Sequence, residues 1–250
     1  MNWKRHTFVD VSDAGREAIL AELVGSGTDS AALREKLGRV LLPEQAGARV
    51  PGVIRREDGP SRLGCVPVGF SGLGTGREGR LRIAAFARLE DVVRVTSPYE
   101  IMSSPAPRRT APIEALVAVK ARARSLGLVL GVWGSVAMEF YTGLPYTHDG
   151  SDLDLIVAAV SQERLSCFMV EVSALEERFA LRIDVEVDLP NGYGVQLKEL
   201  LGQGHKVLGK SITGVALLHR LQMVAALSHA APFATCEGMP RSTIPHKRVA

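Results

Sequence analysis

The chain has 250 residues, 46% hydrophobic and 23% charged, with a formal net charge of +3 and a sequence pI near 8.9. That composition excludes an intrinsically disordered chain, is ample for one large domain or two small ones, and fits an anionic ligand without demanding nucleic acid. Three widely spaced cysteines argue against a disulfide scaffold or a zinc site, and no apolar run approaches the roughly 20 residues that cross a bilayer. The opening "MNWKRHTFVDVSD" has no apolar leader pattern, so the expectation is a cytoplasmic, reduced protein with neither a membrane nor a nucleic acid as partner.

Taken in order, "RHTFVDV" reads as a first strand. "SDAGREAILAEL" follows as a helix with Ser12 at its N-cap and Ile19, Leu20 and Leu23 on one face. "SAALREKLG" is a second short helix, with Gly38 as its stop. From Pro43 to Arg80 the texture turns to Gly, Pro and Arg; "GCVPVGF" and "RLRIAAFA" are strand candidates on either side of "SGLGTGREG". The Pro-rich Ser97–Pro112 segment reads as a connector. "IEALVAVKARARSLG" is a helix stopped by Gly127, "LVLGVW" a buried strand, "SVAMEFYTG" a short helix and "SDLDLIVAA" the next strand. A helix capped by Ser161 leads to "LRIDVEVDLPNGYGVQL", two strands around an Asn-Gly turn. "HKVLGKSIT" is a last strand, "GVALLHRLQMVAALSHA" a final helix, and the remainder a loose, basic tail.

The chemistry concentrates in "SDLDLIV". Side chains alternate across a strand, so Asp152 and Asp154 share one face while Leu153, Leu155 and Val157 point to the core. Two carboxylates this close repel unless a cation lies between them. Mg²⁺ meets that need, because it takes hard oxygen ligands and is held by one or two carboxylates together with substrate phosphates. "RIDVEVD" offers Asp184, Glu186 and Asp188 in the same period; the preferred third carboxylate is Glu186, with Asp184 next, and Asp188 reads as solvated. Upstream, "WGS" ends a strand and opens a helix, whose unpaired N–H groups and partial positive charge seat a phosphate. Gly134 permits close approach and Ser135 adds a hydroxyl donor. Together these pieces describe a phosphoryl- or nucleotidyl-transfer site.

The order Gly-Ser, Asp-x-Asp, acidic strand resembles the DNA polymerase β-type nucleotidyltransferase superfamily over Pro112 to Thr213. Within it, the intervening "TGLPY", with "VPVGFSG", "GRLRIAAF", "RIDVEVDLPNGYGVQLKELL" and "KVLGKSITGVALL", resembles the malonate decarboxylase holo-acyl-carrier-protein synthases, also called phosphoribosyl-dephospho-CoA transferases. The resemblance implies an α+β fold: a polymerase β-like domain of mixed sheet and helices over 111–230, preceded by a smaller mixed α/β domain over 1–110 and followed by a tail over 231–250. It implies transfer of the prosthetic group from triphosphoribosyl-dephospho-CoA to a serine of the acyl-carrier subunit of malonate decarboxylase, with release of pyrophosphate. Asp152 and Asp154 would hold Mg²⁺ and the triphosphate, Glu186 or Asp184 would complete the site, and Gly134 and Ser135 would seat the leaving phosphates.

Other residues are weighed against plainer roles. Lys210, Arg80 and Arg82 are phosphate candidates, each set against a surface cation. Lys206 flanks the same strand as Lys210. "GLGTG" lacks the strand-loop-helix setting of a dinucleotide fingerprint. Arg108 and Arg109 read as solvated linker rather than as a lure for an acidic carrier. His6 and His148 read as packing or loop residues rather than bases, and Trp133 and Tyr146 as packed aromatics rather than base-stacking ones. Two other readings stand beside the resemblance: a small nucleotidyltransferase that adenylylates a drug or a protein, and an inactive nucleotidyltransferase-fold binding module.

Overall fold

A computed structural model describes residues 3–25, 30–57, 61–74, 79–101 and 110–227. Arg108, Arg109 and the expected tail lie outside the described residues.

The N-terminal half builds β1 (Phe8–Val11), α1 (Asp13–Val24), α2 (Ser30–Leu41), α3 (Pro43–Ala46), β2 (Gly52–Ile54), β3 (Cys65–Gly72), β4 (Leu81–Arg88), β5 (Val92–Thr96) and the short α4 (Pro98–Ile101). Ser12 caps α1 as expected, its Oγ accepting the Gly15 N–H at 3.1 Å. The strands form a five-stranded sheet in the order β4-β3-β2-β1-β5, with every neighbouring pair antiparallel. Gly38 does not stop α2. The helix runs on to Leu41, because burying Val40 and Leu41 outweighs the roughly 1 kcal/mol that an internal glycine costs. The short β2 and the β5 stretch "VVRVT" carry no alternation that marks them in the sequence; pairing with β1 makes them strands.

One buried cation ties this half together. The Arg16 guanidinium is fully buried and donates to the carbonyls of Val11, Leu41 and Val50 at 3.0, 3.0 and 2.7 Å. A buried charge survives only when its donors are met, and here backbone oxygens meet them.

The second half builds α5 (Ala111–Ser125), β6 (Leu130–Trp133), α6 (Gly134–Thr142), β7 (Leu153–Ala158), α7 (Gln162–Phe179), β8 (Ile183–Asp188), β9 (Gly194–Gln196), α8 (Leu197–Leu201), β10 (Lys206–Lys210), β11 (Val215–His219) and α9 (Arg220–Leu227). Its six-stranded sheet runs β11-β10-β9-β8-β7-β6. Only β7 and β8 are parallel, because α7 carries the chain back across the sheet between them. The Asn-Gly signal marks a real hairpin, with Asp188 paired to Gly194. The fold is α+β, two sheets with helices on their faces. The N-terminal sheet docks on α6, where Phe8 meets the Tyr141 ring edge-on at 5.1 Å and the Tyr141 hydroxyl donates to Asp10 at 2.8 Å.

The expected helix from Gly214 onward is a correction. Val215–His219 is a strand, paired residue for residue with Lys206–Lys210, and only Arg220–Leu227 is helical. The spacing of Leu217, Leu218 and Leu221 mimics a helical face. A tight Ser211–Gly214 turn overrides it: the Ser211 N–H donates to Gly214 O at 2.8 Å and folds the chain straight back.

Candidate active site

Register decides which carboxylates meet. In the parallel pair β7/β8, Asp154 lies opposite Asp184, Ile156 opposite Glu186, and Ala158 opposite Asp188. Paired residues share a face, so Asp154 and Asp184 stand side by side and Asp152 sits just before β7. Asp184 is braced by Arg182, with Nε to Oδ1 at 3.0 Å and Nη2 to Oδ2 at 2.7 Å. Asp154 has no such cation. Burial, then the charges of Asp184 and Asp152, push its carboxyl up to about 6.

The register sets Asp184, rather than Glu186, beside Asp154. Glu186 sits one pair further along the face and is buried. Arg5 donates to its Oε1 at 3.1 Å and to Oε2 at 3.3 Å, and His6 Nε2 lies 3.3 Å from Oε1. Burial alone would raise the Glu186 carboxyl; the hydrogen bond and charge of His6 and the charge of Arg5 outweigh it and hold the carboxyl below its usual range. Burial lowers His6 in turn. Asp188 is not simply solvated either: it takes Lys4 Nζ at 2.7 Å and the Tyr99 hydroxyl at 3.4 Å. The sequence gives no local signal for these partners, which lie some 90 to 184 positions away along the chain.

Opposite the carboxylates stands the Gly134–Ser135 turn that opens α6. Gly134 has φ +67°, and a Cβ there would fall 2.1 Å from Asp154 Oδ2, so no other residue fits without displacing that carboxylate. Trp133 pairs with Asp154 across β6/β7 and stacks on His6 with ring centroids 4.0 Å apart. Arg80, from the head of β4, reaches over this turn: Nη1 donates to Ser135 Oγ at 3.1 Å, and Nη2 donates to the Tyr146 carbonyl.

The "TGLPYTHD" segment is what allows that reach. Glu139, fully buried on α6, accepts from Thr147 N at 2.7 Å and Thr147 Oγ1 at 2.6 Å. Tyr146 is buried against Arg80 and donates to Ser71 O in β3 at 2.7 Å. Asp149 accepts the Ala111 N–H at 3.0 Å and so satisfies a donor at the start of α5. The loop thus closes the site against the N-terminal sheet.

Two cavities meet at Ser135 and Asp154. One, of about 770 Å³, is lined by Arg80, Arg82, Ser135, His148, Asp152 and Asp154. The other, of about 740 Å³, shares Arg80, Arg82, Ser135 and Asp154 and adds Gly134 and Lys210. Lys206 is exposed on β10 and lines neither of these two cavities.

The comparisons decide the family. The phosphoribosyl-dephospho-CoA transferase MdcG C-terminal domain matches residues 100–221, and the N-terminal domain of the same protein matches residues 4–98. Curated relatives named phosphoribosyl-dephospho-CoA transferase include one from Xanthomonas euvesicatoria pv. vesicatoria, 33% identical over 73% of this chain and 85% of its own. Another, from Bradyrhizobium diazoefficiens, is 28% identical over 88% of this chain and 92% of its own. The chain belongs to the phosphoribosyl-dephospho-CoA transferase family.

It is accordingly a transferase enzyme. No solved structure matches the chain. The boundary between the two matched phosphoribosyl-dephospho-CoA transferase regions falls at residues 98 and 100, just past β5 and the end of the first sheet. Among the described residues, no helix is long and apolar enough to cross a membrane. Among them also, no three His, Cys, Asp or Glu side chains form a complete metal cage. A two-carboxylate seat is what Mg²⁺ uses when substrate phosphates supply its other ligands. Asp152 and Asp154 fit that donor set; the Asp154 carboxyl is raised first by burial, then by Asp184 and Asp152, with Arg182 opposing.

Proposed function

We propose that this transferase moves the phosphoribosyl-dephospho-CoA group from triphosphoribosyl-dephospho-CoA onto a serine hydroxyl of the acyl-carrier subunit of malonate decarboxylase, releasing pyrophosphate. One observation carries the reading: Asp154, crowded by Asp152 and Asp184, faces a helix N-terminus whose Ser135 is gripped by Arg80. That juxtaposition suits a polyphosphate held between a divalent cation and amide donors, the arrangement proposed for polymerase β-type nucleotidyltransferases.

In this reading Asp152 and Asp154 hold Mg²⁺, which neutralises charge on the phosphates when bound. The Gly134 and Ser135 end of α6, with Arg80, seats the two phosphates that leave. The serine oxygen attacks the phosphorus attached to the ribosyl group; a new P–O bond forms there and the bond to the next phosphate breaks. Asp184, fixed by Arg182, is the carboxylate placed to take the serine proton, in preference to Glu186, whose oxygens Arg5 and His6 already occupy. In this reading the enzyme works in the cytoplasm.

Mass spectrometry of the apo carrier subunit after incubation with the enzyme, Mg²⁺ and triphosphoribosyl-dephospho-CoA should show one added phosphoribosyl-dephospho-CoA on a single serine. Modification by ATP in place of this donor would favour the adenylylating reading, and binding without any modification would favour the inactive module.

A further inference from the structure

The second cavity has a composition that the transfer chemistry alone does not need. Its floor is apolar, with Phe8, Phe70, Ile83 and Met138, and the half-buried Trp133 forms one wall. Cationic residues line it too: Arg55 and Arg56, just past β2, and Lys210 at the end of β10. Among the described residues lining it, Asp154 is the one carboxylate, and it stands at the junction with the first cavity. Asp152, His148 and Ser151 line only the first cavity; Arg55, Arg56 and Lys210 line only the second of this pair. The two lobes diverge from Asp154 and Ser135; they share Arg80 and Arg82, and the second adds Arg55, Arg56 and Lys210.

A nucleoside triphosphate carries one polyphosphate chain. A donor built on dephospho-CoA carries two: the triphosphate on the added ribose, and the diphosphate that joins adenosine to pantetheine. We infer that Arg55, Arg56 and Lys210 form a second anion seat, which binds the diphosphate of the dephospho-CoA moiety while its uncharged parts lie on the apolar floor. This rests on the transfer reading above and deepens it, by giving the site a means to select its donor over ordinary nucleotides. The main-chain support is in place. The Arg55 N–H donates to Pro67 O at 3.1 Å and the Glu57 N–H to Ile212 O at 2.9 Å, which pins this strand exit between the two sheets. Guanidinium groups pair with phosphate oxygens in two-pronged fashion, so an arginine pair beside a lysine suits a diphosphate.

The test uses 3′-dephospho-CoA as probe, titrated calorimetrically into the full chain without Mg²⁺ so that the metal seat is not engaged. The Arg55→Ser, Arg56→Ser double variant should weaken binding at least tenfold. Arg55→Lys with Arg56→Lys should fall between the two, since it keeps the charge and loses the two-pronged pairing, and Lys206→Ser, on the exposed part of β10, should leave binding within twofold. Thermal melts of each variant report whether the fold is kept. Equal affinity of the wild type and the folded Ser/Ser variant overturns the proposal, as does equal binding of 4′-phosphopantetheine, which lacks the diphosphate. The two readings fail separately. Transfer by the wild type with no effect of the Ser/Ser variant on dephospho-CoA affinity removes the seat alone. Arginine-dependent binding with no transfer to the carrier removes the transfer reading alone.

Discussion

Two ends of one sheet face treat their carboxylates in opposite ways. At the β7 start, Asp152, Asp154 and Asp184 gather, and Arg182 pairs with Asp184. One and two pairs further along, Glu186 and Asp188 each meet a cation from the first residues of the chain, Arg5 and Lys4, with His6 and Tyr99 in support. One end stores negative charge; the other cancels it. Asp152 and Asp154 line open cavities, whereas Glu186 and Asp188 fasten the N-terminal segment to the second sheet.

The strongest way to break this comparison is to remove the stored charge. Asp152→Ala and Asp154→Ala should each lower transfer by about 10³-fold or more, measured as carrier modification over time, with no loss of thermal stability. Retained transfer in either would end the catalytic assignment. Next in size, Asp184→Asn and Glu186→Gln should diverge. Asp184→Asn should cut kcat by about 10²-fold with little change in melting temperature. Glu186→Gln should spare much of kcat but cost about 1–3 kcal/mol, because it leaves the Arg5 guanidinium without its countercharge in a site open to little water. Reversed outcomes would return Glu186 to the site.

That divergence marks where the sequence stopped being legible. The Asp-x-Asp and Gly-Ser pieces could be read because each is local: period two fixes one face, and a strand-to-helix turn fixes the other. The choice between Asp184 and Glu186 could not, because both obey the same period, and only the β7/β8 register, set across the α7 crossover, separates them. The partners of Glu186 were further out of reach, since Arg5 and His6 arrive from 181 and 180 positions away. His6 was read as a packing residue, and it does pack on Trp133, yet its positive φ of 67° and its bond to Glu186 show a more particular placement. The β11 strand failed for another reason: the leucine spacing fits a helix, and a four-residue turn, not periodicity, decided the outcome.

A smaller effect sharpens the phosphate side of the site. Arg80→Ser removes the grip on Ser135 and on the Tyr146 carbonyl at once. It should raise the KM for the activated donor about tenfold or more, with a smaller change in kcat, since one charge-assisted contact to phosphate contributes on the order of 1.5–3 kcal/mol. An unchanged KM would mean that Arg80 serves only to hold the Tyr146 loop, and the melting temperature would then be the quantity that falls.

The smallest expected effect concerns pH, and its sign differs between the two ends. Asp154 has a carboxyl raised to about 6 in the fold, above its ordinary 3.8, by burial and by Asp184 and Asp152. The native state therefore binds the Asp154 proton more tightly than the unfolded chain does, so this group costs stability above pH 6 and the cost fades as pH falls from 6 toward 4. Glu186 is held below its ordinary value, so its contribution is present above that value and is lost as pH falls through the folded one. In metal-free protein at pH 7.5, Asp154→Asn should therefore raise the melting temperature by roughly 2–4 °C, a discounted gain of about 1 kcal/mol because the site is partly open to solvent. Near pH 4 the gain should vanish. With Mg²⁺ held at Asp154 as proposed, metal and proton would compete, so transfer at low Mg²⁺ should fall about tenfold per pH unit below pH 6, and added Mg²⁺ should move that inflection lower. A melting temperature that drops on Asp154→Asn at pH 7.5 would show that the carboxylate is already compensated within the protein, and the contrast between the two ends of the face would collapse.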